Sequence, residues 1–218
     1  MKSIINEQIK FYKTLFTSEG WDEESADYLI SKIDKHLSEE DKINLEKTVT
    51  EEELEKIIMH LKKNKSPGED GIIAEFYEIY WQTIKKEFVK VIHVILEKEK
   101  LTESESKGIL TLIHKKGERE DIKNWRPLTL LNVDYKIISK SLANRIKPLL
   151  TKLKHPNQKG FIPGRNIQEA NRLIQDIIEY VKIEKMNGSI IFLDQEKAFD
   201  RVEWGWLDKC LEKYNFGD

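Results

Sequence analysis

The chain has 218 residues, 39% apolar and 35% charged, with a net charge of −2. That length suffices for one large domain or two small ones with a real core, while the single cysteine, Cys210, excludes an internal disulfide and a Cys-based zinc site. The longest apolar runs are broken by charge, as Val89–Leu96 is by Lys90 and His93, so none approaches the roughly 20 residues of a membrane span.

The N-terminus, MKSIINEQIK, lacks the apolar core and cleavage site of a secretion signal, so an intracellular protein is expected, nucleus and cytoplasm undistinguished. Charge is unevenly placed. Residues 1–60 hold eight basic against fifteen acidic side chains, a net of −7. Residues 107–172 hold fifteen against five, a net of +10. Such an asymmetry suits a phosphate footprint within a near-neutral chain, or a merely solvated basic surface.

Taken in order, residues 1–49 read as acidic, weakly amphipathic helices, with Gly20 and WDEES marking a turn and a helix start. Thr50 and Glu53 fit a capping box before Leu54, Ile57, Ile58 and Leu61 at helical spacing. A basic, turn-rich loop, KKNKSPGEDG, follows at 62–71. A long helix over about Ala74–Lys100 carries the stripe Tyr77, Trp81, Ile84, Phe88, Ile92 and Ile95, which reads as core. Ile109–His114 and Leu128–Leu131 read as strands joined by a charged loop, a hairpin with cations at its tip. Asn132 can cap the next helix, which Pro148 disrupts. The loop HPNQKGFIPGR at 155–165 mixes turn residues with Phe161 and two cations. Asn166 and Glu169 form a second capping box for a helix to about Met186.

After Asn187-Gly188 comes SIIFLDQEKAFDRV at 189–202. Ile190–Leu193 reads as an apolar strand delivering Asp194 at its C-terminal end, a common way to hold a metal ion, or as a buried strand whose first loop residue happens to be Asp. An amphipathic segment with Trp206, Leu207, Cys210, Leu211 and Tyr214 closes the chain. Helices followed by short, non-local strands give an α+β class, mostly helical.

Four stretches in order carry a resemblance: KSPGEDGIIAEFYE (65–78), LIHKKGEREDIKNWRPLTLLNVDYKIISKSLANRI (112–146), QKGFIPGRN (158–166) and FLDQEKAFDRV (192–202). Together they closely resemble the reverse transcriptase of LINE-type, non-LTR retrotransposons. The resemblance implies right-hand polymerase fingers with a partial palm over residues 50–218, preceded by a linker-like extension over 1–49. It implies RNA-directed DNA synthesis, with an RNA template, a DNA primer, nucleotide triphosphates and Mg²⁺ as partners, and no membrane. By position, Asp194 would be the palm carboxylate that binds magnesium and the Gln195 carbonyl would add a ligand. Phe199 would pack beneath the incoming sugar, Lys115 and Arg126 would meet the triphosphate, and Arg145, Lys159 and Arg165 would contact the template. Asp200 would cap the turn into the last helix.

One departure bears on activity. The family places further carboxylates on a downstream pair of adjacent aspartates, and this sequence has no Asp-Asp dipeptide. One carboxylate cannot hold two ions roughly 3.5–4 Å apart against their repulsion. The 218-residue chain is therefore expected to be catalytically incomplete on its own. The alternative is a non-enzymatic nucleic-acid-binding remnant that uses the basic 107–172 face.

Overall fold

The computed structural model describes residues 2–217. Three helices come first: α1 (Lys2–Leu15), α2 (Glu23–Ser31) and α3 (Glu39–Glu46). Asp22 starts α2 by accepting from the Ser25 amide at 2.7 Å, so the WDEES run does begin a helix. These helices form one compact unit with the residues from Ile146 onward, and Lys47–Arg145 form a second.

The middle unit holds the main core. Helix α4 (Glu51–Met59) is capped by Thr50, whose hydroxyl accepts from the Glu53 amide at 3.2 Å. Helix α5 (Ala74–Lys98) ends as Glu99 turns left-handed at φ 52°. Leu54, Ile57 and Ile58 of α4 pack with Tyr77, Trp81, Ile92 and Ile95 of α5, and Trp81 is fully buried. Strands β1 (Gly108–His114) and β2 (Trp125–Leu131) pair antiparallel, with His114 opposite Trp125 and Gly108 opposite Leu131. The second strand starts three residues before the expected Leu128, because Trp125, Arg126 and Pro127 pair with His114, Ile113 and Leu112. Helix α6 (Val133–Leu153) adds Val133, Ile137 and Ile138 to the core.

Two loop expectations change. Asn132 is fully buried, and its amide donates to the Ser104 carbonyl and hydroxyl at 3.3 and 3.0 Å rather than capping α6. Against it lies the Pro-Gly turn. A β carbon at Gly68 would come within 2.4 Å of the Asn132 backbone nitrogen, so this site admits only glycine. Pro148, expected to disrupt the helix, lies inside α6, which continues to Leu153. The lost backbone bond is outweighed downstream, where Leu153 is buried and Leu149 and Leu150 are half-buried.

The other unit is more sparsely buried. Helix α7 (Ile167–Ile183) is capped by Asn166, which accepts from the Gln168 amide at 2.9 Å, and contains no buried residue. Of its apolar stripe Ile167, Leu173, Ile177 and Ile178 are exposed, while Ala170, Ile174 and Val181 are half-buried, and Ile183 at its end is exposed. Helix α8 (Trp204–Lys213) packs on α2 around the buried Ala26, with Lys209 paired to Glu23 and Asp27.

The expected strand at Ile190–Leu193 is absent: residues 189–195 belong to no strand. An extended segment needs a neighbour to take its backbone donors and acceptors. Among the described residues the only sheet is the β1–β2 pair, whose edges it does not join. Leu193 is accordingly 91% exposed.

Trp81→Ala should lower the stability of the middle unit by about 3–5 kcal/mol, read as a reduced urea midpoint. Ile183→Ala, on the open face of α7, should stay within about 0.5 kcal/mol. A pH effect also follows. Burial holds the Asp134 carboxyl above its ordinary value, aided by the Glu105 and Asp70 charges and opposed by the Tyr135 amide. A carboxyl raised in the folded state binds protons more tightly folded than unfolded, so its contribution is present at low pH and lost as pH rises through the folded value. Asp134→Asn should therefore increase stability at neutral pH and flatten its decline above the ordinary carboxylate range, in urea titrations at stepped pH.

Candidate nucleic-acid and nucleotide interface

The hairpin supplies the best-formed part of the candidate site. Side chains alternate along paired strands, so Ile109, Thr111 and Ile113 share a face with Arg126, Leu128 and Leu130. The pairing extends one residue beyond β1, where the Lys115 amide donates to the Asn124 carbonyl at 2.9 Å. Lys115 therefore joins the face that carries Arg126. Both side chains are exposed, and no hydrogen bond or ion pair engages either charged group among the described residues.

Between the strands the loop is braced rather than slack. Its last residues form a 3₁₀ turn, Ile122–Asn124, started by Asp121, which accepts from the Lys123 amide at 2.9 Å. The Asn124 side chain donates to the Glu118 carbonyl at 3.0 Å, and the Trp125 indole to the Arg119 carbonyl at 2.9 Å. Gly117 turns the chain at φ 79°, where a β carbon would strike the Asn124 amide. His114 and Trp125 meet edge to face on the opposite face at 5.2 Å. The two cations thus stand on a preformed support.

Several other cations of the basic stretch are committed to partners within the protein. The Arg145 guanidinium grips both Glu53 oxygens, at 2.9 and 2.7 Å, and also donates to the carbonyls of Lys47 and Thr48. Arg145 and Glu53 are only 16% and 23% exposed. The residue expected at the template is thus held by partners within the protein, and the Thr50 capping box is half made because Glu53 faces Arg145. Arg165 donates to the carbonyls of Lys154, His155 and Gln158, folding its own loop. Lys159 pairs with Glu169, so the second capping box is also half made. Lys152 pairs with Asp41 at 2.8 Å. At the hairpin Lys115, Lys116, Arg119, Lys123 and Arg126 are exposed beside Glu118, Glu120 and Asp121, and Lys140 and Lys147 are exposed on α6.

Asp194 and Gln195 are exposed and precede a turn over residues 196–201, in which the Asp200 amide donates to the Lys197 carbonyl at 2.9 Å. Asp200 does not cap α8; Glu203 flanks that helix and makes no side-chain cap. Phe199, 83% exposed, meets Phe161 edge to face at 6.1 Å, so two of the motif stretches touch. Sequence spacing could not show this contact across 38 positions. Among the described residues no group of three His, Cys, Asp or Glu is arranged to hold a metal ion. Asp194 therefore has no second carboxylate grouped with it among them to complete a two-ion site, and no helix among them is long and apolar enough to cross a membrane.

A family profile described as reverse transcriptase (RNA-dependent DNA polymerase) matches residues 113–218, from β1 through the Asp194 stretch. The chain is 36% identical over 95% of its length to the transposon TX1 uncharacterized 149 kDa protein of Xenopus laevis, covering 16% of that protein. It is 26% identical over 77% of its length to a probable RNA-directed DNA polymerase from transposon BS of Drosophila melanogaster, covering 18% of it. It is 25% identical over 69% of its length to the Pol polyprotein of type-1 retrotransposable element R2 of Popillia japonica, covering 20% of it. The chain belongs to the non-LTR reverse transcriptases. This reverse-transcriptase chain spans a fifth or less of the length of those relatives. Its α+β architecture, helical with one small antiparallel sheet among the described residues, fits partial fingers and palm.

Arg145→Ala should reduce stability by about 1.5–3 kcal/mol, because it removes charged hydrogen bonds from partly buried partners. Arg145→Lys should recover little, since an ammonium cannot reproduce the planar fork. Arg126→Ala should change stability by less than about 0.5 kcal/mol. Urea denaturation of the three variants tests the division between structural and outward-facing arginines.

Proposed function

We propose that this chain serves RNA-directed DNA synthesis as the fingers and first palm segment of a non-LTR reverse transcriptase. Residues 50–218 form the polymerase part, and residues 1–49 the extension before it. What supports the reading is the braced hairpin, which presents Lys115 and Arg126 on one face with no competing partner. Two fixed cations suit the phosphates of an incoming nucleotide, arginine doubly so because its fork can grip two oxygens. Phe199 is the residue proposed to meet the sugar, and its ring is open to receive one. Lys159 and Arg165 act by holding the 155–165 loop in shape, with Phe161 at its surface.

Asp194 and the Gln195 carbonyl are the proposed contribution of this chain to the magnesium chemistry of the family. The described residues do not complete such a site, so the chain alone is expected not to polymerise. That favours a second reading, in which the chain binds nucleic acid through the hairpin without catalysis.

Both readings predict binding to an RNA–DNA primer–template that weakens steeply with salt. In fluorescence anisotropy titrations, Lys115→Ala and Arg126→Ala should each reduce the slope of log affinity against log salt by about one in the second reading, and leave it unchanged in the first, where both cations meet the nucleotide. Binding indifferent to salt would remove both readings. Primer extension with Mg²⁺ and nucleotides separates them: no product is expected from the 218-residue chain.

A further inference from the structure

A cleft of about 640 Å³ lies within the unit formed by the N-terminal helices and the residues from Ile146 onward, between the segment after α1 and the start of α8. Phe16, Trp21 and Trp204 line it, and Trp204 is 83% exposed. Its walls are tied together. The Glu19 amide donates to Glu203 at 3.2 Å, and the Trp21 ring lies so close to Gly205 that a β carbon there would meet it at 2.5 Å. A substituted residue at 205 would push that ring away, so the aromatic wall depends on this glycine.

The charge of the lining decides what it could hold. Three carboxylates, Glu19, Asp200 and Glu203, face a single guanidinium, Arg201, which lies 4.0 Å from Glu19. The uncapped N-terminus of α8 adds roughly half a positive charge. That is too little to reverse an excess of two negative ones. The neighbouring Tyr12 reports the same sign: burial first, then the Asp200 charge, raises its phenol above the ordinary value. Its hydroxyl is buried without a hydrogen-bond partner. The unit already seats one cation on an aromatic face, with Lys197 Nζ 5.4 Å from the Phe11 ring centre.

We propose that this cleft binds an organic cation, an alkylammonium or methylated ammonium group, between the Trp21 and Trp204 rings with Asp200 and Glu19 as counter-charges. Aromatic faces attract such cations through their negative quadrupole. A carboxylate excess over the lone arginine disfavours phosphates and nucleotides. A volume of this size accommodates a lysine-sized group with room for its methyl substituents. The proposal is independent of the polymerase reading, because none of the residues assigned to nucleotide or template lines the cleft.

The test uses the whole chain and follows the tryptophan indole N–H signals by NMR during titration with tetramethylammonium, free trimethyllysine, and a short peptide containing trimethyllysine. Saturable shifts of Trp21 and Trp204 are expected. Trp204→Ala should weaken binding about two- to fivefold, in line with an exposed cation–π contact. Its exposed ring makes the variant foldable, and circular dichroism should be unchanged. Asp200→Asn should weaken binding to a similar extent. Neopentyl alcohol, similar in bulk but uncharged, should bind more weakly than tetramethylammonium. Equal binding of free and peptide-borne trimethyllysine identifies a small amine as sufficient, and tighter binding of the peptide identifies a polypeptide as the source. No saturable shift, equal binding of neopentyl alcohol, or saturation by inorganic phosphate instead would overturn the proposal.

Discussion

The Arg145 guanidinium fixes the frame on which the middle unit is assembled. It reaches from α6 to both oxygens of Glu53 in the first turn of α4 and to the carbonyls of Lys47 and Thr48 just before it. Those carbonyls lie just before the first turn of the helix. A planar five-donor group can satisfy several such acceptors at once where an ammonium could not. With α4 held in this way, Leu54, Ile57 and Ile58 present one apolar row, and Val133, Ile137 and Ile138 of α6 contribute another to the same core.

The β1–β2 hairpin leaves that core directly into α6, so its position follows from the same packing. Its preformed loop contrasts with residues 189–195. Both stretches are rich in β-branched and apolar residues, and local propensity favours strand in each. Only one of them has a partner. The pairing of Gly108–His114 with Trp125–Leu131 satisfies the backbone of both segments. Ile190–Leu193 has no such neighbour among the described residues and remains irregular. Pairing separates these two outcomes, and propensity does not.

The same distinction explains how much of the molecule was legible from sequence. Helices α4, α5 and α7, the hairpin, the Thr50 and Asn166 caps and the Trp81 core stripe all follow from local spacing and local chemistry. The family motifs were equally visible, because they are strings of neighbouring residues. The destinations of long side chains were not. Arg145, Lys159 and Arg165 look alike in a sequence, as cations in a basic stretch, yet each is committed to partners 10 or more positions away. Pro148 was read by its own backbone cost, without the downstream burial of Leu153 that outweighs it. No periodicity links Trp21 and Trp204, which lie 183 positions apart, so their shared cleft leaves no mark in the sequence.

The exposed SIIFL run ending at Leu193 also bears on handling the protein. Five consecutive uncharged residues with high strand preference and an unpaired backbone form a window prone to intermolecular β pairing. Asp194, with Glu196 and Lys197 behind it, is the charge that closes this window. The carboxylate proposed for metal therefore doubles as a gatekeeper against aggregation. Replacing it with alanine extends the apolar run by one residue as well as removing a ligand. Asparagine at that position keeps the polarity, and so separates loss of chemistry from loss of solubility.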